Sequence, residues 1–346
     1  MKENGKLKKQ HINDVQPATV DEHFEIIMND KTLLDSDLPS VTRDDLPDWY
    51  DSEMYKQGQE YYTRYLAAIV LNNLIGLIAV FAVPQIMKVL TYTKQSSTVC
   101  TAFKRYVQTM LHIHKFYVCD PDDADSNWYK SMNVVRWKHK TSSKKCCKAG
   151  IGGIYQRDMV LTQFAFIAYA LTMPKAIGIT MTREEEKAFV HFWRVTGNML
   201  GIPDRLNICR KSAAETRQLC QKLIDNVYKN YFIDAPPEFH KLAAASLDGI
   251  WYVDVSIDRE ATMALVYKVH NVKYNKPIGW YSWINMKYRD ALISLSFAPY
   301  IGIVIRTYFN NLLKFILWYT ENYGAMYAWL KFPSKTIQLK LYPKFE

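Results

Sequence analysis

The sequence predicts an all-α fold, a multi-helix globular bundle with membrane-associated hydrophobic helices, and three observations support this. Apolar residues recur at helical spacing in several segments. The string Thr182-Arg183-Glu184-Glu185 is a capping box that starts a helix, and Gly201 marks its end. No alternating pattern typical of a β-strand persists for long. Apolar residues make up 49% of the 346 residues, which is enough to bury a sizeable core.

Composition divides the chain into three regions. Residues 1–44 are rich in Lys, Asp and Asn without periodicity, and we expect them to form a mostly disordered polar arm. Residues 45–275 carry the helical patterns and form the main helical domain. Residues 276–346 are strongly aromatic, which is typical of helices at a membrane interface, and we expect a membrane-interfacial C-terminal region.

A hydrophobic helix is predicted over residues 65–87, where no residue is charged. A helix needs about 20 apolar residues to cross a bilayer, so this stretch is long enough. Asn72, Asn73 and Pro84 favour instead a buried helix or one that dips into a membrane. Both interpretations are open at this stage.

The charge balance favours an anionic partner. Lys and Arg number 44 against 34 Asp and Glu, a net charge of +10. Basic residues are spread along the chain and form no recognisable nucleic-acid-binding module, so we expect no nucleic-acid partner. A charged face beside an anionic membrane explains the balance better.

The cysteines form no Cys-x-x-Cys pair and are expected to be reduced thiols of a domain facing the cytosol. The polar N-terminal region predicts no signal peptide.

Familiar catalytic strings are absent, which leaves histidines on helices as the candidate site residues. A helix is predicted over residues 127–140, followed by a mobile loop from 142 to 153. Arg136 and His139 lie one turn apart on one face of this helix. A neutral imidazole can ligate iron, and the Arg could pair with a haem propionate or contact bound oxygen. Alternatively, the basic end of the helix only complements its own dipole.

The other histidines give weaker signals. Residues 98–117 predict an amphipathic helix with Phe103, Val107 and His114 on its inner stripe. His112 and His114 lie about 200° apart on that helix and cannot chelate one ion, so we interpret them as ordinary interior or surface residues. His191 lies off the inner stripe of its helix and is expected to be partly exposed.

Four segments together resemble the family of the endoplasmic-reticulum-bound oxygenase mpaB and the bacterial rubber oxygenase (latex clearing protein) catalytic domain. The likeness extends over about residues 85–270. The four segments are Thr91-Tyr92-Thr93-Lys94-Gln95-Ser96-Ser97 leading into Lys104-Arg105-Tyr106; Val135-Arg136-Trp137-Lys138-His139; Gln156-Arg157-Asp158-Met159-Val160-Leu161-Thr162-Gln163-Phe164; and Phe192-Trp193-Arg194 with Gly197-Asn198-Met199-Leu200-Gly201-Ile202.

The resemblance implies an all-helical oxidoreductase that carries haem b and cleaves carbon–carbon double bonds of isoprenoid chains with dioxygen. It therefore implies a haem-dependent oxygenase acting on a hydrophobic, isoprenoid- or lipid-like substrate at a membrane. On this basis residues 45–275 would be the oxygenase-like domain. The expected location is the endoplasmic reticulum membrane, with the domain facing the cytosol.

The chain departs from the family at the proximal iron ligand. Where the bacterial branches have a His, this sequence has Gln163 and Phe164. Either His139 becomes the axial ligand, or this branch has lost or changed its cofactor. Arg136 and His139 match the family's Arg and its distal ligand position, and Lys140 follows. The resemblance thus implies Arg136 and His139 as catalytic residues and His139 as the metal ligand. The residues that would bind the cofactor are Arg136, His139, Lys140, Gln163 and Phe164. Phe166 would also line the pocket.

Two other functions remain open. A non-catalytic lipid-binding or membrane scaffold protein could keep the fold without haem, and the missing proximal His favours it. A non-haem di-iron oxidase would need Glu-x-x-His pairs on facing helices, and the sequence has none.

Overall fold

The computed structural model describes residues 12–35, 37–333 and 339–343, and these are mostly helical. No β-strand occurs within these ranges, apart from an isolated antiparallel bridge between Leu33 and Tyr155. The all-α prediction is confirmed. The α-helices are α1 (Ile12–Val15), α2 (Val20–Asn29), α3 (Ser52–Arg64), α4 (Leu66–Phe81), α5 (Pro84–Thr93), α6 (Val99–Val118), α7 (Asn127–Lys148), α8 (Gln156–Thr172), α9 (Arg183–Met199), α10 (Ala213–Leu223), α11 (Lys229–Ile233), α12 (Pro237–Trp251), α13 (Arg259–Val269), α14 (Trp280–Leu295) and α15 (Ile301–Lys331).

The centre of the fold is the contact between α4 and α8. Gly76 allows the two backbones to approach closely, since a Cβ at this position would lie 2.0 Å from the carbonyl oxygen of Ala165. Asn72 is fully buried, donates to the carbonyl of Phe166 (2.8 Å) and accepts from the amide of Ala170 (2.9 Å). The polar residue that complicates the predicted hydrophobic helix therefore fastens α4 to α8.

The hydrophobic stretch 65–87 is split by Pro84, so that α4 ends at Phe81 and α5 begins at the proline. Ile69, Ile75 and Ile78 are fully buried in the core. Among the described helices, none alone has both the length and the apolar composition of a membrane span. Only α3 and α4 taken together reach that threshold, and they are bent by 93°.

Helix α9 packs along α3 and begins and ends as its sequence predicts. Thr182 Oγ1 accepts from the amide of Glu185 (3.2 Å), and the Glu185 carboxylate accepts from the amide of Thr182 (2.9 Å). Gly201 follows with a φ of +96°, which favours glycine. Phe192 of α9 stacks on Tyr117 with ring centroids 4.2 Å apart, and this contact joins α9 to α6.

The prediction of a disordered arm over residues 1–44 is wrong for residues 12–35 and 37–44, while residues 1–11 lie outside the described part. Thr19 and Glu22 form a capping box that starts α2. Ile27 and His23 of this helix are fully buried, and His23 Nδ1 lies 2.9 Å from the guanidinium of Arg210. The sequence contains this capping box, but the prediction of disorder followed the high polarity of the region instead.

The predicted mobile loop over residues 142–153 is also wrong in its first half, because α7 continues to Lys148. Cys146 is fully buried, and Ser143 Oγ accepts from the amide of Ile154 (3.0 Å). Lysine is a good helix former, so a Lys-rich stretch can extend a helix whose other face is buried.

We expect Gly76→Ala to lower the free energy of unfolding by at least about 2 kcal/mol, because the added methyl group would meet a backbone carbonyl that cannot move aside. Thermal or urea unfolding measures this. The control is Gly324→Ala in α15, whose Cβ would lie 3.4 Å from Leu339 Cδ1, an ordinary contact, and should cost nothing. Equal stability of the two variants would contradict the close α4–α8 approach.

Candidate active site

A cavity of about 880 Å³ lies between α4, α5, α6, α7 and α8. Cofactor and small-molecule sites usually have volumes of roughly 300–1,000 Å³. Most of the wall is apolar and includes Leu74, Leu77 and Phe81 of α4 and Phe166 of α8. A second, smaller depression of about 460 Å³ lies near Trp49 and away from the candidate residues.

His139 lies on the wall of the large cavity and is half-buried. Its Nδ1 atom is buried without a hydrogen-bond partner. Burial, together with the positive charges of Arg105 and Lys138, lowers the pKa of His139 to about 4. The ring is therefore neutral at pH 7 and its nitrogen lone pair is available to an electrophile or metal.

A second imidazole, that of His112 on α6, lines the same cavity. It is 1% exposed, and neither of its ring nitrogens has a hydrogen-bond partner. Burial, with a contribution from Lys138, lowers the pKa of His112 to about 3. Unpartnered buried nitrogens are costly, so two of them on one wall indicate a place for a ligand.

Five cationic side chains line the cavity, and three of them lie on two neighbouring helices: Lys104 and Arg105 of α6 and Lys138 of α7. Lys138 Nζ donates to Gln108 Oε1 at 3.1 Å. Burial and then the charges of Arg105 and Lys104 lower the pKa of Lys138 to about 8. The cations thus act on one another and on the two histidines, which places all five groups in one region of the cavity.

Asp158 is the one carboxylate on this wall in the described part of the chain. Its Oδ2 accepts from the amide of Tyr155 at the start of α8 (3.1 Å). Its Oδ1 has no hydrogen-bond partner, although Arg157 Nε lies 3.9 Å away. Burial raises the pKa of Asp158 to about 6. This side chain can therefore exchange a proton close to neutral pH.

Gln163 reaches the cavity wall, but its polar atoms are already bonded within the protein. Its Nε2 donates to the Trp193 carbonyl (2.9 Å) and to Asn207 Oδ1 (3.0 Å), and its Oε1 accepts from the Ile208 amide (3.2 Å). Phe164, which we also expected to line the pocket, is not on the wall of this cavity. One residue further along α8 turns the side chain by about 100°, and Phe164 stacks on Tyr228 in the core at 4.5 Å.

Arg136 and Lys140, for which the resemblance implies contact with the cofactor, do not lie on the cavity wall. Arg136 donates to the carbonyls of Met199 (2.6 Å) and Pro39 (2.7 Å). Lys140 Nζ donates to the carbonyl of Leu38 (3.2 Å). The unpaired carbonyls at the end of α9 attract the guanidinium, as helix C-termini attract cations in general. The face of α7 that meets the cavity is the adjacent one.

His112 and the cluster of cations were not predicted from the sequence. Arg105, Gln108 and His112 occur at i, i+3 and i+7, which is one helix face. We expected the inner stripe of α6 to run through His114 instead. His114 lies 3.0 Å from the Tyr62 hydroxyl group on a neighbouring face. A stripe of polar residues on a helix normally indicates a face exposed to solvent. The only sequence signal for a cavity was the regular spacing of these polar residues next to an aromatic face of the same helix.

Comparisons with known proteins add a family. The family model described as "ER-bound oxygenase mpaB/B'/Rubber oxygenase, catalytic domain" matches residues 61–266. Among solved structures, "Latex Clearing Protein LCP in the closed state" is similar to this chain with a TM-score of 0.47 and 14% sequence identity. That similarity covers 86% of this chain and 85% of the other. No curated protein sequence matches the chain.

We expect Arg136→Ala to destabilise the protein by on the order of 2–4 kcal/mol, because two buried carbonyls would lose a charged donor. Urea unfolding measures the loss. Lys140→Ala is the matched control, since it removes one longer bond from the same helix and should cost less than about 1 kcal/mol. An Arg136→Ala variant of unchanged stability would mean that this guanidinium is not a tether.

Proposed function

This chain belongs to the ER-bound oxygenase mpaB/rubber oxygenase catalytic-domain family, and on that premise we propose a haem-dependent oxygenase that acts on a hydrophobic, isoprenoid- or lipid-like substrate at a membrane. The observation that carries the proposal is the pair of neutral imidazoles, His112 and His139, whose unpartnered nitrogens lie on the wall of a largely apolar cavity.

The residues present fit a haem. A porphyrin supplies four nitrogens to its iron, so the protein needs to provide only one or two axial donors. His139 is the candidate axial ligand because it is the more accessible of the two imidazoles. A metal ion without a porphyrin needs more protein ligands. Among the described residues, no group of three or more His, Cys, Asp or Glu side chains could provide them.

Other residues of the wall fit the binding of an apolar substrate and the exchange of a proton, which the reaction suggested by the family would use. The apolar side chains of α4 and Phe166 would hold an isoprenoid-like chain and exclude water. Asp158, with its pKa near 6, can hold or release a proton at Oδ1. When bound, the haem would supply a redox-active iron for the reaction of dioxygen with a carbon–carbon double bond.

One observation favours a second function, a lipid-binding or membrane scaffold protein that keeps the fold without haem. Gln163 stands where the family resemblance implies a proximal His, and both ends of its amide are engaged by Trp193, Asn207 and Ile208. A bonded amide is a poor iron ligand. In the haem proposal, His139 and not Gln163 would therefore hold the iron.

A membrane surface is the partner we propose for the outer face of α14 and α15. The two helices expose many aromatic side chains, which we name the C-terminal aromatic surface. Its members are Trp280, Tyr281, Trp283, Tyr288, Tyr300, Tyr308, Phe315, Trp318 and Trp329. Lys287 Nζ lies 5.8 Å from the Trp283 ring centroid, and aromatic rings with nearby cations suit the lipid headgroup region. The proposed location is the cytosolic face of the endoplasmic reticulum.

The test of the haem proposal is spectroscopic. We expect the full chain, produced with haem supply, to show a Soret band that shifts with carbon monoxide. His139→Ala should abolish or shift this band, since it removes the axial donor. His240→Ala is the matched control, because His240 is half-buried on α12 and does not line the cavity.

Two results would contradict this assignment. An unchanged haem spectrum in His139→Ala would remove the proposed ligand. Colourless protein without iron that co-purifies with lipid would favour the scaffold function over the oxygenase.

The C-terminal aromatic surface can be tested on vesicles of phosphatidylcholine and phosphatidylserine. Trp318 and Trp329 are 52% and 62% exposed and lie three turns apart on one face of α15. We expect the double replacement of both by Ser to weaken vesicle binding by about tenfold or more, because two interfacial anchors are lost. Trp251→Ser is the control on α12, where the ring is 43% exposed. Equal loss in the control would refute the membrane-binding face.

A further inference from the structure

We propose that Lys104, Arg105 and Lys138 form an anion-binding site on the cavity wall that takes the carboxylate of an amphiphilic ligand. The apolar part of that ligand would lie against α4 and α8. This inference deepens the proposed function, because it adds a required chemical group to the ligand, and it rests on the same cavity.

The first support is the placement of the three cations. Lys104 and Arg105 lie on the cavity face of α6, and Lys138 faces them from α7. All three are half-buried. Gln108 holds the Lys138 ammonium group between the helices through a 3.1 Å hydrogen bond. The donors therefore converge on the cavity, in contrast to lysines scattered over a solvated surface.

The second support is the lack of counter-charges. In the described ranges, no Asp or Glu lies within ion-pair distance of Lys104, Arg105 or Lys138. Elsewhere on α6, Lys115 pairs with Glu321 at 2.7 Å. Among the described residues, Asp158 supplies the only carboxylate on the cavity wall, and burial raises its pKa to about 6. Like charges in a partly buried place repel one another, and a bound anion would relieve that repulsion.

The third support is the arrangement of the rest of the wall. The neutral imidazoles of His112 and His139 are close enough to Lys138 for its charge to lower both of their pKa values. Most of the remaining wall is apolar and includes Leu74, Leu77 and Phe166. Cationic groups, neutral imidazoles and apolar side chains in one cavity match a carboxylate head joined to a long apolar body.

Two kinds of ligand share this chemistry. One is a porphyrin, whose propionates are carboxylates, and the other is a long-chain carboxylic acid bound as the substrate. The ligand pairs in the experiment separate the two sources. Haemin is compared with its dimethyl ester, and a fluorescent long-chain polyene acid is compared with the corresponding alcohol.

The experiment measures the affinity of the full-length protein for all four ligands, with and without Lys138→Gln. We expect the unmodified chain to prefer at least one carboxylate ligand over its uncharged counterpart by about tenfold or more, because a charge-assisted hydrogen bond is lost in the counterpart. Lys138→Gln should reduce that preference, and so should added salt, since both weaken the electrostatic attraction. A preference confined to haemin identifies the propionate, and a preference for the acid identifies the substrate head.

The matched control is Lys130→Gln, which removes the same charge from an exposed position of α7 outside the cavity. It should leave all four affinities unchanged. Equal affinity within both ligand pairs, or equal effects of Lys130→Gln and Lys138→Gln, would overturn the anion site. These results are separable from the haem test. If the protein prefers the acid over the alcohol but shows no Soret band, the anion site is supported and the haem-dependent oxygenase is contradicted. If the protein shows a Soret band but binds haemin no more tightly than its ester and the acid no more tightly than the alcohol, the oxygenase is supported and the anion site is contradicted.

Discussion

Polar groups buried without partners destabilise a folded protein, and four of the twelve such side-chain atoms in the described part of this chain lie on one cavity wall, on His112, His139 and Asp158. The cations Lys104, Arg105 and Lys138 are grouped on the same wall. A few kcal/mol separate a folded domain from its unfolded state, so such groups are retained where a ligand satisfies them. The proposals made for the cavity follow from these groups. Neutral imidazoles, a cluster of cations and an apolar wall together specify a ligand whose parts complement these three.

In the scaffold around the cavity, three buried polar side chains join the helices through hydrogen bonds. The Asn72 side chain joins α4 to α8 through two hydrogen bonds to backbone groups. The Gln163 side chain joins α8 to Trp193 of α9 through one hydrogen bond and to Asn207 and Ile208 after α9 through two more. Arg136 ties α7 to the end of α9 and to Pro39. Side chains that the family resemblance suggested as chemical groups are therefore structural in this chain. The close approach of α4 and α8 at Gly76 fixes the relative position of these two helices, which both line the cavity.

The sequence was sufficient for the fold class, the family and the start of α9, because capping and helical periodicity are local properties. The predicted face of α7 carried both Arg136 and His139, and of the two only His139 lies on the cavity wall. The side chains of Arg136, Lys140 and Phe164 turn to partners that only the tertiary structure brings near. His112 was not predicted, because a polar stripe on a helix looks solvated until the opposite wall is known. Residues 20–29 were misjudged for a related reason, as their burial depends on α10.

Diffraction from crystals of the full chain grown after production with haem, recorded at the iron absorption edge, tests the central claim most directly. The account predicts one anomalous peak in the cavity, within bonding distance of an imidazole nitrogen of His139. Colourless crystals without a peak, or an iron bound elsewhere on the chain, would contradict it.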